Sequence, residues 1–129
     1  MDIITKKQLN ILIQLAEADK HFAKIERDMI FQIAKERNFP EADVHELIRK
    51  PEPIETLGAL SPNTKFEYLM ACIRLIFADN KVFERELIFC KSIAIKLGFK
   101  KNVVEYLVEN YPQMPENALK EQVFAVYLA

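Results

Sequence analysis

The sequence predicts an all-α fold, a compact bundle of about seven helices made of two similar three-helix units and a closing C-terminal helix. Three observations lead there. Apolar residues recur at spacings of three and four along most of the chain, and no stretch sustains the period-two alternation of a strand. Glycine occurs only at Gly58 and Gly98, which leaves little for the many tight turns of a β-sandwich. Sliding the chain over itself by 60 residues brings Leu9 onto Leu69, Ile13 onto Ile73, Leu15 onto Leu75, Ala18 onto Ala78 and Asp19 onto Asp79. Glu26 then meets Glu86, Ile33 meets Ile93, Ala34 meets Ala94 and Phe39 meets Phe99, followed by Val44 on Val104 and Leu47 on Leu107. Such gap-free identity predicts an internal duplication, residues 6–50 repeated as 66–110.

The first copy opens with Thr5-Lys-Lys-Gln8, which has the form of a capping box, and Leu9, Leu12, Ile13 and Ala16 follow at helical spacing. A second helix is expected from about Ala23 to Arg37, burying Met29, Ile30, Ile33 and Ala34. The third starts at Pro40, a good first-turn residue, and carries Val44, Leu47 and Ile48. In the second copy Ser61-Pro62 is a cap followed by proline, and the next helix, from about Phe83, stops at Gly98. "KNVVEYLVENY" supplies the third helix of that copy. The proline-bounded linker 51–61 has room for a short helix through Ile54, Leu57 and Leu60, and residues 115–128 form the closing helix.

The totals bound the function. A chain of 129 residues is about one domain and can bury a core without staples. Eighteen basic residues against nineteen acidic ones leave no basic face for nucleic acid or an anionic membrane. No segment reaches the length of a membrane span, and the N-terminus lacks the pattern of a secretory leader, so a cytoplasmic protein is expected. Cys72 and Cys90 fall on core positions and fit no short zinc motif. His21 and His45 fall on polar positions. Paired carboxylates such as Glu84 with Glu86 and Glu41 with Asp43 point to different helix faces. Phe31, Phe39, Phe77, Phe89, Phe99 and Phe124 read as core, whereas Tyr68, Tyr106, Tyr111 and Tyr127 are candidates to line a groove.

The candidate site lies at two corners, "ADKHFAKIE" and "ADNKVFERE". Each places an aspartate (Asp19, Asp79) where one helix ends and a glutamate (Glu26, Glu86) as the third residue of the next. A glutamate there accepts from the N-cap backbone N–H and sits near the positive helix end, while the aspartate suits the turn. The same four carboxylates are hard oxygen ligands, so a divalent cation is the competing use. Lys20, His21 and Lys81 oppose it, and the glycine of an EF-hand loop is missing.

An Ala-Asp at a helix end, an apolar residue three positions on and a glutamate seven positions on resembles the tellurite-resistance TerB family. Ala18, Asp19, Phe22 and Glu26 match it, and so do Ala78, Asp79, Val82 and Glu86. "AIKLGF" (94–99) is similar to another segment of that family. Lys20 and Asn80 stand where the family has glycine. The resemblance implies a helical bundle, a link to bacterial responses to tellurite and other stress, and acidic positions that have been proposed as metal ligands. The family domain also occurs in a DnaJ-like co-chaperone, but no His-Pro-Asp motif is present here. The expectation is therefore a non-enzymatic adaptor with no cofactor that works on a protein partner, with a homodimer as one form of that. The alternative is a divalent-cation-binding regulatory domain.

Overall fold

The computed structural model describes residues 2–18, 23–55, 57–78, 82 and 84–129. Seven helices occur among them: α1 (Ile3–Ala16), α2 (Lys24–Glu36), α3 (Glu41–Arg49), α4 (Pro62–Ile76), α5 (Glu84–Leu97), α6 (Val103–Asn110) and α7 (Glu116–Val126). The chain is all-α. Among the described residues the one strand-like feature is an isolated antiparallel bridge between Phe99 and Leu128.

Two compact units divide the chain. One comprises Met1–Ile54 with Leu75–Glu86, the other Glu55–Arg74 with Leu87–Ala129. The boundary falls inside α4 and inside α5, so the units do not coincide with the two sequence copies.

In the first unit α1 packs on α2 and α3, and α2 packs on α3. Leu9, Ile11, Leu12, Ile13, Leu15 and Ala16 of α1 are all buried. A helix apolar on most of its surface is one that neighbours surround. Its start differs from the capping box expected at Thr5. Asp2 is the N-cap: its Oδ1 accepts from the Ile4 N–H at 3.0 Å and its Oδ2 from the Thr5 hydroxyl at 2.6 Å. Aspartate at that place outcompetes threonine one turn later, and Thr5 becomes the donor that holds it. The Thr5 hydroxyl bond, helped by the Ile4 N–H, lowers the Asp2 carboxyl below its ordinary range.

Helix α2 buries Ile30 and Ala34 as expected, while Met29 and Ile33 stay half-buried. It ends in a Schellman motif. Asn38 takes φ 56°, its N–H bonds the Lys35 carbonyl at 3.2 Å, and the Phe39 N–H bonds the Ala34 carbonyl at 2.8 Å. Pro40 is the N-cap of α3 rather than its first helical residue, with φ −60° and ψ 136°. The Val44 N–H bonds the Pro40 carbonyl at 3.2 Å, so the proline lends its acceptor and loses no donor.

The linker carries no helix among its described residues, contrary to the expectation for Ile54, Leu57 and Leu60. Pro51 and Pro53 remove two donors. The backbone between them is also pinned. Asn10 donates to the Glu52 carbonyl at 2.9 Å and accepts from the Glu52 N–H at 2.9 Å, Gln14 Nε2 donates to the same carbonyl at 2.6 Å, and Lys6 pairs with the Glu52 carboxylate at 2.9 Å.

In the second unit the Ser61 side chain accepts from the Thr64 N–H at 3.2 Å and so caps α4. Helix α5 stops at Gly98 with φ 91°, where the Gly98 N–H bonds Ile95 at 3.0 Å and the Phe99 N–H bonds Ala94 at 2.9 Å. Helix α7 packs on α6. Arg74 holds its first turn through Glu116 at 2.6 Å, and Phe124 stacks between Phe66 and Phe99 with ring centroids 6.0 and 6.3 Å away. The Tyr127 ring lies 5.1 Å from that of Tyr106, and the tail pairs with Gly98–Lys100.

Several features recur at the 60-residue offset. Positions 9–18 and 69–78 have the same burial, residue by residue, and so do 24–32 and 84–92. The Ala18 and Ala78 N–H groups bond the carbonyls of Leu15 and Leu75 at 3.1 Å in both cases.

Candidate functional site

Glu26 and Glu86 are each the third residue of their helices, α2 and α5, as the sequence indicates. Both belong to the first unit and both are buried, at 3% and 2% exposure. Glu26 Oε1 accepts from the Ala23 N–H at 3.2 Å, which is half of a capping box, since Ala23 has no acceptor to return. The carboxylate meets the partial positive charge of the α2 N-terminus there, and a buried carboxylate needs such donors.

This burial was not part of the sequence reading, although a signal for it exists. Glu26 lies three, four and seven residues before Met29, Ile30 and Ile33, which puts it on the apolar stripe of α2. Glu86 has the same relation to Phe89, Cys90 and Ile93.

Asp19 and Asp79, the other two candidate ligands, lie outside the described residues, as do Lys20, His21, Asn80 and Lys81. The four-carboxylate set is therefore represented by its two glutamates. Among the described residues no three His, Cys, Asp or Glu side chains gather closely enough to hold a metal ion.

The remaining candidates fall as follows. Cys72 and Cys90 are not joined in a disulfide, and both are fully buried. His45 is half-exposed, 3.6 Å from Glu41 and with its ring 5.0 Å from that of Phe31. Tyr68, expected as a groove residue, is a core residue instead, because the buried face of α4 includes its position. Tyr106, Tyr111 and Tyr127 are part-exposed. Of the six phenylalanines expected in the core, Phe39 and Phe99 are buried and the other four are half-buried.

Among the described residues of the first unit, Phe39 lines two open concavities. One, of about 450 Å³, also has Asp28, Phe31, Gln32, Lys35 and Glu41 on its walls. The other, of about 300 Å³, runs between Lys6 of α1 and Asp43, Glu46 and Leu47 of α3. No family model, curated protein or solved structure matches this chain.

Proposed function

We propose that the chain is a TerB-like, non-enzymatic helical module that arose by internal duplication. It works by protein–protein contact in the cytoplasm, within a bacterial stress-response or envelope-associated system. The observation that supports this most is the use made of the motif glutamate. Glu26 is buried and spends one oxygen on the Ala23 backbone, the role of a corner-forming residue. The repeated burial and paired helix stops support the duplication. Open grooves on helical surfaces are places where an amphipathic partner helix can dock.

The second reading is a divalent-cation-binding regulatory domain using Asp19, Glu26, Asp79 and Glu86. What favours it is the placement of two buried motif carboxylates in one unit. The two readings separate in one experiment: affinity capture of a protein partner from the native cell, run with and without EDTA. The adaptor reading expects a reproducible partner retained in both conditions. A partner lost on chelation and restored by calcium or magnesium would favour the cation reading.

A further inference from the structure

We propose that the chain self-associates through the outer face of α5, two copies laying that helix side by side and parallel about a twofold axis. This face is separate from the corners and concavities behind the interaction-module reading.

The two copies differ most tellingly where both meet solvent. Positions 28 and 88 are exposed alike, and so are 32 and 92, and 35 and 95. Packing inside the chain therefore does not dictate what stands there. In α2 these places carry Asp28, Gln32 and Lys35, and Lys24 holds Asp28 at 2.7 Å. In α5 they carry Ile88, Ser92 and Ile95, with the two isoleucines 59% and 58% exposed. A single exposed isoleucine is ordinary, but two spaced by a heptad make a stripe for a second helix. Among the described residues no other helix exposes such a pair. Ser92 lies between them, and its small side chain lets another helix come close.

The charges beside the stripe say what covers it. Glu84 and Arg85 are both exposed, and neither has an ion-pair partner among the described residues. At about 100° per residue, Glu84 lies about 40° to one side of Ile88 and Arg85 about 60° to the other. A twofold axis parallel to the helix sets one flank of each copy against the opposite flank of its partner. Each Glu84 then faces an Arg85, while Ile88 meets Ile88 and Ile95 meets Ile95. The face is thus complementary to itself, as a twofold interface requires. An antiparallel pair sets like flanks together and brings Arg85 toward the last-turn Lys96. At the matching place α2 has Lys24 and Ile25, which cannot form the reciprocal pair. One helix on one helix buries less than the roughly 1,200 Å² of a stable interface, so the dimer is weak and depends on concentration.

Sedimentation equilibrium of the full chain from about 10 µM to about 1 mM tests this. The average mass should rise toward that of a dimer. Ile88→Asp with Ile95→Lys, the residues that the first copy carries there, should weaken association by about tenfold or more. Both positions are exposed, so that variant should fold, and its melting curve confirms it. Glu84→Arg should weaken association by about fivefold, and adding Arg85→Glu should restore it. Ile95→Cys treated with diamide should cross-link copy to copy, because the parallel axis sets position 95 against itself. An antiparallel pair would set it against Ile88 and leave it unlinked. The native thiols are buried and do not compete. A monomer throughout the range, or a dimer that the isoleucine variant leaves intact, would overturn the proposal. So would a charge reversal that the second substitution fails to rescue, or an Ile95→Cys chain that does not link. In each of these cases, a protein captured both with and without EDTA would leave the module reading standing.

Discussion

Asn38 and Gly98 hold the same place in the two halves of the chain: each is the left-handed residue that stops a helix, with φ of 56° and 91°, and each precedes a buried phenylalanine. The hydrogen bonds match as well, Phe39 to Ala34 at 2.8 Å and Phe99 to Ala94 at 2.9 Å. Gly98→Ala should therefore cost about 1–2 kcal/mol, the strain of an L-residue in that region. A Cβ there would meet nothing nearer than Lys65 Nζ at 3.9 Å, so the loss comes from the backbone and not from crowding. Asn38→Ala should cost about 1 kcal/mol, since asparagine tolerates the conformation better than alanine. Urea unfolding measures both, and unchanged midpoints would refute the assignment.

The buried glutamates give a second expectation. For an exposed cap, Glu86→Ala would cost about 0.5–1 kcal/mol. At 3% exposure, Glu26→Ala removes the acceptor of a part-buried backbone N–H and should cost about 1–3 kcal/mol. Glu26→Gln keeps an acceptor and should lose less. Equal stability of the Gln and Ala variants would contradict the hydrogen-bonding role.

The linker clamp is equally specific. Asn10→Ala deletes two hydrogen bonds to the Glu52 backbone, both 2.9 Å, and should destabilise by about 1–3 kcal/mol. Proteolysis under native conditions should then cut faster within residues 51–61, while Asn10→Asp, which retains the acceptor, should show an intermediate rate. An unaltered digestion pattern for Asn10→Ala would remove the clamp from the account.

Much of the fold was legible because the helices obey local rules. Ser61 before Pro62, Gly98 after Leu97 and the 60-residue repeat each name their element with little help from packing. Misplaced details arose where a competing hydrogen-bond partner, near or far in sequence, decided the outcome. Asp2 took the cap from Thr5 through a hydroxyl that the box pattern assigns elsewhere. The linker lost its expected helix to Asn10, whose partner Glu52 lies 42 residues away. At the site, the third-residue glutamates were legible from spacing, and their burial was legible in the apolar stripe each shares with the residues three, four and seven positions on. Asp19 and Asp79 keep only their sequence reading.

Cys72 and Cys90 should behave as core thiols. Both are fully buried, so a thiol reagent should label them slowly in the native state and quickly in denaturant. Fast native labelling of either would return a nucleophilic or redox role to consideration.

The central claim is that the acidic corners build the fold and do not hold a cation. Thermal unfolding with and without calcium or magnesium tests it most directly. A ligand that binds the folded chain alone stabilises it by about 2.7 kcal/mol at a hundredfold excess over its Kd. For a domain of this size that amounts to a rise in Tm of about 10 °C. The account predicts no such rise, and it predicts that Asp79→Asn and Glu86→Gln shift Tm equally with and without the ion. A calcium- or magnesium-dependent rise of several degrees that either substitution abolishes would contradict it.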